Sequence, residues 1–109
     1  MEFASEKRDN LTLVTVTGRM DAVTAPGFEE QCLALLEAGD NNLVADLGGL
    51  EYISSAGLRS ILSTAKKLKA AQGSLAFCNL KGMVQEVFTV SGFASMFPIH
   101  ATVEDALKG

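Results

Sequence analysis

Tryptophan is absent from this chain, and tyrosine and histidine occur once each, as Tyr52 and His100. So few flat side chains leave no stacking platform for single-stranded nucleic acid. Cysteines number two, Cys32 and Cys78, far apart and without a C-x-x-C spacing. With one histidine they supply no metal-ligand cluster, so no metal and no cofactor is expected. Each lies in an apolar stretch and reads as a buried, reduced thiol. Positive charge is in deficit, 9 Lys and Arg against 13 Asp and Glu, for a net charge of −4. That balance disfavours nucleic acid and anionic membranes, and suits a protein partner with a basic face. No apolar run reaches bilayer-spanning length. Met1 to Asn10 carries Glu2, Glu6, Lys7, Arg8 and Asp9 with no apolar h-region, so no signal peptide reads there. A cytoplasmic location is the expectation.

What is present is ordinary for a globular domain. Hydrophobic residues make up 48% and charged residues 20% of 109 positions, which fits one domain over 1–109 with its own core and no need of staples.

The chain punctuates itself into alternating elements. Glu2 to Lys7 reads as an edge strand, with Arg8-Asp9-Asn10 as a hairpin turn. Leu11 to Thr17 is β-branched and alternates, which is strand pattern, and Gly18 breaks it. Thr24 then caps a helix with Pro26 in its first turn and Glu29 and Glu30 toward its positive end. Phe28, Cys32, Leu35 and Leu36 give it an apolar face, and Gly39 closes it. Leu43 to Leu47 reads as a buried central strand followed by a loop from Gly48 to Ile53. Asp46 is expected to bond loop amides at the strand's end. One of Ser54 and Ser55 caps the next helix, which starts near Ala56. Its apolar stripe is Leu58, Ile61, Leu62, Ala65 and Leu68, with Arg59, Lys66, Lys67 and Lys69 on the other face. Gln72-Gly73 ends it. A short strand over Leu75 to Cys78, a helix over Gly82 to Val90, a last strand over Met96 to Ile99 and a terminal helix capped by Thr102 complete the order. Alternation of this kind predicts an α/β layer with parallel pairs and an antiparallel N-terminal hairpin.

In open α/β sheets, ligands and partners gather beyond the carboxyl ends of the strands. Two loops place polar residues there: Gly18-Arg19-Met20-Asp21, and Tyr52 to Gly57. At the second, a phosphate on Ser55 would lie over the free N–H groups of the helix N-terminus. It would add roughly −1.5 to −2 charges without unfolding the chain. Gly57, lacking a Cβ, would let another backbone or a nucleotide come close. A plain helix cap accounts for Ser54-Ser55 equally well, a turn acid for Asp21, a surface position for His100 and a solvated face for Lys66, Lys67 and Lys69. A serine-nucleophile enzyme is disfavoured, since no G-x-S-x-G occurs and nothing orients His100 toward Ser55. Nor is there a P-loop.

Three segments together resemble the STAS domain family of anti-sigma factor antagonists. Val14 to Asp21 looks like the family's strand ending in G-x-hydrophobic-D. Leu43 to Leu47 looks like its central strand. Tyr52-Ile53-Ser54-Ser55-Ala56-Gly57-Leu58 looks like its signature loop, where Asp often stands at the place of Ser54. The resemblance implies a single STAS-like domain, with a mixed four- to five-stranded sheet and helices packed mainly on one face. It also implies partner switching without enzymatic activity. The unphosphorylated protein binds an anti-sigma factor serine kinase and frees a sigma factor, phosphorylation of Ser55 ends that binding, and a serine phosphatase resets it. Partner-binding residues would be Asp21, Ser54, Ser55, Ala56, Gly57 and Leu58, in a protein that is a monomer when free. Ser54 stays open as a second acceptor. The other reading is a non-phosphorylated STAS scaffold or docking subunit in a signalling or transport assembly.

Overall fold

The computed structural model describes residues 1–108. Elements follow the order β1 (Glu2–Arg8), β2 (Leu11–Met20), α1 (Ala25–Glu37), β3 (Asn42–Ile53), α2 (Ser55–Ala70), β4 (Ser74–Cys78), α3 (Gly82–Val90), α4 (Phe93–Met96), β5 (Ile99–His100) and α5 (Val103–Lys108). One five-stranded sheet runs β1-β2-β3-β4-β5. β1 pairs antiparallel with β2 across a turn in which Asp9 takes a φ of 54°. The remaining pairs are parallel. This is the expected mixed sheet.

Each strand sends alternate residues to opposite faces, and the two faces differ in what covers them. Val14, Val16, Leu43, Ala45, Leu75 and Phe77 meet Phe28 and Cys32 of α1, Ile61 and Leu68 of α2, and Val84, Phe88 and Phe93 beyond. Phe77 makes edge-to-face contacts with Phe88 and Phe97, at centroid distances of 5.1 and 5.3 Å. Such pairs add about 0.5–1.5 kcal/mol beyond area burial. The opposite face holds a smaller cluster of Leu13, Val44, Cys78 and Ala106, so α5 alone covers that side. Both cysteines are buried and free, as expected. No helix among the described residues is long and apolar enough to cross a membrane.

The departures within β2 and β3 share one cause, glycine acting inside strands. Gly18 does not end β2; it takes a φ of 106° and the strand continues to Met20 with a register shift. Gly48 and Gly49 do not open a loop. They are the irregular middle of β3, which continues to Ile53. A Cβ on Gly48 would collide with the end of the Asn79 side chain, and one on Gly49 with the β-branched Thr17, so glycine lets these neighbours pass close to the strand. Near the C-terminus, the strand expected over Met96 to Ile99 is instead the helix α4 followed by β5. Pro98 supplies only its carbonyl, to the Phe77 N–H at 3.0 Å, and pairing starts beyond it.

Two helix details also differ. Glu29 and Glu30 are not in the first turn of α1; Glu29 reaches across to α2, where Ser63 and Lys67 each donate to it at 2.7 Å. The buried line of α2 is Gly57, Ile61, Thr64 and Leu68, while Leu58, Leu62 and Ala65 lie half-buried along its side. Thr64 is tolerated inside because its hydroxyl donates to the Ser60 carbonyl at 2.7 Å. Gly39 closes α1 as expected, with a φ of 100° and the Asp40 N–H returning to the Leu35 carbonyl.

Candidate functional site

Extension of β2 and β3 brings two loops together at the carboxyl edge of the sheet. Met20 and Ile53 are paired residues, and the Ser54 N–H donates to the Met20 carbonyl at 2.9 Å. α2 therefore starts directly against the loop of Asp21 to Thr24.

Asp21 organises that loop. Its Oδ1 accepts from the N–H groups of Val23 and Thr24, both at 3.0 Å. The backbone donors of Thr24 and then Val23 hold its carboxyl below the usual range. Thr24 stands at the N-cap of α1 but does not cap it with its side chain. Its hydroxyl accepts from the Asp21 N–H and donates to the Arg19 carbonyl, at 2.9 and 2.7 Å. The chain thus turns out of β2 on a closed set of bonds, which leaves Val23 87% exposed.

Ser54 and Ser55 separate cleanly. Ser54 is the N-cap of α2, extended in backbone, and its Oγ accepts the Gly57 N–H at 3.2 Å. Ser55 is the first helical residue and is exposed. Its hydroxyl has no hydrogen-bond partner among the described residues. Nor do the N–H groups of Ser55 and Ala56, which sit where a helix has no preceding turn to bond. At Gly57 the close neighbours are the chain's own strand ends. This glycine is buried, and a Cβ there would lie 2.8 Å from Ile53 Cγ1 and 3.2 Å from the Met20 oxygen, so its missing side chain lets α2 seat on the strand ends.

Two shallow grooves lie along the first turns of α2. One, of about 280 Å³, runs between α1 and α2 and is lined by Ala22, Pro26, Glu29, Ala56 and Arg59. The other, of about 380 Å³, lies between α2 and α3 and is lined by Leu58, Glu86, Val87 and Val90. Val90 is 88% exposed. Val23, Val87, Val90 and Arg59 were not singled out from the sequence as site residues. A hydrophobic residue at the last position of a helix carries no signal by itself, and it takes the packing of α3 beside α2 to make a surface of it. Arg19 stacks its guanidinium 4.3 Å above the Tyr52 ring at the sheet edge.

His100 sits on β5, paired with Cys78, and makes no hydrogen bond with Ser55 among the described residues. Asp46 accepts a backbone amide as expected, but from within β3 rather than at a strand end: the Gly48 N–H donates to it at 2.9 Å and the Asn79 side chain at 3.2 Å. No group of three or more His, Cys, Asp or Glu placed to hold a metal occurs among the described residues.

A protein-family model described as the STAS domain matches residues 2–106. The chain belongs to the STAS domain family. It is 41% identical to BtrV of Bordetella bronchiseptica, named for an anti-sigma factor antagonist role, over 97% of this chain and 91% of that one. The anti-sigma-B factor antagonist of Bacillus subtilis is 27% identical over 94% of each chain. Among solved structures, an anti-sigma factor antagonist from Mycobacterium paratuberculosis superposes with a TM-score of 0.86 at 29% identity, covering 98% of this chain and 91% of that chain. The mixed five-stranded sheet of this STAS domain, with its helices packed mainly on one face, is the one the resemblance implied.

Proposed function

We propose that this protein is an anti-sigma factor antagonist, a regulatory binding protein rather than an enzyme. It binds an anti-sigma factor serine kinase and so frees a sigma factor, and phosphorylation of Ser55 by that kinase ends the binding. A serine phosphatase restores the unmodified form. The observation that carries the reading is the division of labour between the two serines. Ser54 is committed to the cap, whereas Ser55 is exposed with a free hydroxyl beside two unpaired N–H groups.

The same geometry supports a switch. A phosphate on Ser55 would rest against the N–H groups of Ser55 and Ala56, aided by the helix dipole, so the fold absorbs the charge. A partner packed over Val23, Leu58 and Val90 would meet that charge in a surface being emptied of water, where it is costly unless paired. Ser54 in place of the family's frequent Asp keeps a capping side chain, since Ser and Asp cap about equally well. That supports reading the departure as a like-for-like replacement of a cap.

The test is intact-mass spectrometry of the protein, Ser55→Ala and Ser54→Ala, after incubation with lysate of the source cells and Mg-ATP. One phosphate on the wild type and on Ser54→Ala, absent from Ser55→Ala, is expected. A phosphate that persists in Ser55→Ala overturns the acceptor. No phosphate on any form, with a control substrate phosphorylated, overturns the switch and leaves the non-phosphorylated scaffold.

A further inference from the structure

Resting on that reading of Ser55, we propose that Arg59 clamps the phosphate on Ser55, and that phosphorylation thereby removes the free positive charge of the α1–α2 groove. Both residues belong to α2, four positions apart, which places their Cβ atoms about 6 Å from each other on one face of the helix. An arginine side chain is long enough to span that distance toward the helix N-terminus, the direction in which helical side chains lean.

Arg59 is exposed and has no ion-pair or hydrogen-bond partner among the described residues. The other charges nearby are committed. Glu29, across the groove, is bonded to Lys67 and Ser63. Asp21 directs Oδ1 into its own loop, and Arg19 lies on the Tyr52 ring. Lys66 and Lys69 are three to four turns beyond Ser55 along α2, roughly 16–21 Å from it at 1.5 Å per residue. Arg59 is therefore the one cation on the first two turns of this helix. It also lines the groove, with Ala22, Pro26 and Ala56.

Unmodified, the guanidinium is available there to a carboxylate of a docked protein. Once Ser55 carries a dianion, a planar five-donor fork one turn away pairs with it in preference to water. The modification then both adds a negative charge to the docking face and withdraws a positive one.

The experiment uses protein carrying phosphoserine at position 55, installed during translation, so no kinase is needed and the result is separate from that of the lysate assay. Phosphorus NMR follows the second ionisation of the phosphate across pH 4.5 to 8 in the wild type, Arg59→Gln, Arg59→Lys and, as a distant control, Lys69→Gln. The expected result is a wild-type ionisation about 0.4 pH units or more below that of Arg59→Gln, a factor of roughly 2.5 in proton affinity. Arg59→Lys should lie between them and Lys69→Gln should match the wild type. Exchange of the Arg59 Nε–H with water should slow on phosphorylation. Coincident titrations of the wild type and Arg59→Gln, or a shift equally large in Lys69→Gln, would overturn the proposal.

Discussion

The Ser54 N–H donates to the Met20 carbonyl at 2.9 Å, and this bond joins the end of β2 to the first residue of α2's cap. Ser54 uses both ends of itself, since its Oγ also accepts the Gly57 N–H. The neighbouring hydroxyl of Ser55 supports nothing. Removing the two side chains should therefore have unequal effects.

Ser54→Ala should cost about 1 kcal/mol of folding stability, the usual loss for an N-cap side chain, and Ser54→Asp should restore most of it. Ser55→Ala, an exposed change without a lost bond, should stay within about 0.5 kcal/mol of the wild type. Urea unfolding of the three variants decides the point. Equal losses for Ser54→Ala and Ser55→Ala would remove the physical ground for distinguishing cap from acceptor.

Gly57→Ala sets two effects against each other. Alanine in place of glycine inside a helix gains about 1 kcal/mol. The new Cβ, however, would lie 2.8 Å from Ile53 Cγ1 and 3.2 Å from the Met20 oxygen. The first is a branch atom of a buried side chain and the second is backbone, so neither yields easily. Overpacking of this kind costs about 1–3 kcal/mol. A net loss of about 1 kcal/mol is expected by urea unfolding, and a stabilised variant would show that α2 can back away from the strand ends.

Acid should weaken the protein through Asp21, Glu29 and Asp40. All three carboxyls lie below their ordinary range in the folded chain. The main causes are the Thr24 and Val23 N–H groups for Asp21, the Lys67 ammonium ahead of the Ser63 hydroxyl for Glu29, and the Lys7 ammonium for Asp40. A depressed folded value stabilises the fold above the unfolded value, about 4 for these groups, and that contribution is lost as pH falls through the folded value. Unfolding midpoints should be flat from pH 7 to about 5 and drop below about 4. Glu29→Gln should lower the midpoint at pH 7 and shrink the drop. An acid limb as deep in Glu29→Gln as in the wild type would place the proton uptake elsewhere.

Much of this architecture was legible in the residues, for local reasons. The helix over Gly82 to Val90 was read with its observed bounds, and Thr102 caps α5 with its hydroxyl at 3.1 Å from the Asp105 N–H. Those signals are periodicity and capping, which act within one element. The misread segments depend on neighbours. Gly18, Gly48 and Gly49 look like breaks in the chain, and only the Thr17 and Asn79 side chains beside the last two explain why the strand continues. Ser54 and Ser55 were interchangeable by type. The Met20 carbonyl, 34 residues upstream, settles which one caps. Arg59 was read only as lying opposite the apolar stripe of its helix, because a cation four residues after a serine is commonplace until the other charges around it are seen to be occupied.

The two thiols provide a readout of how firmly the core is held. Burial pushes Cys32 up to about 12, with the Glu29 charge adding to it, and pushes Cys78 up to about 11, helped by Asp46 and Glu104. The thiolate is the reactive form, so neither should react in the folded chain at pH 8. A disulfide-exchange reagent should titrate no thiol quickly in native buffer and two after denaturation. The slow native reaction should then proceed through opening of the fold. The cysteines lie on opposite sides of the sheet, Cys32 on the buried face of α1 and Cys78 on β4 under α5. α5 is six residues long and closes its face almost alone, so Cys78 should be exposed by fraying of that helix while Cys32 waits for global unfolding. Ser54→Ala and Gly57→Ala should therefore accelerate labelling of Cys32 by the factor their stability loss dictates, about fivefold per kcal/mol, and leave Cys78 nearly unchanged. Equal acceleration of both would mean that α5 unfolds with the rest.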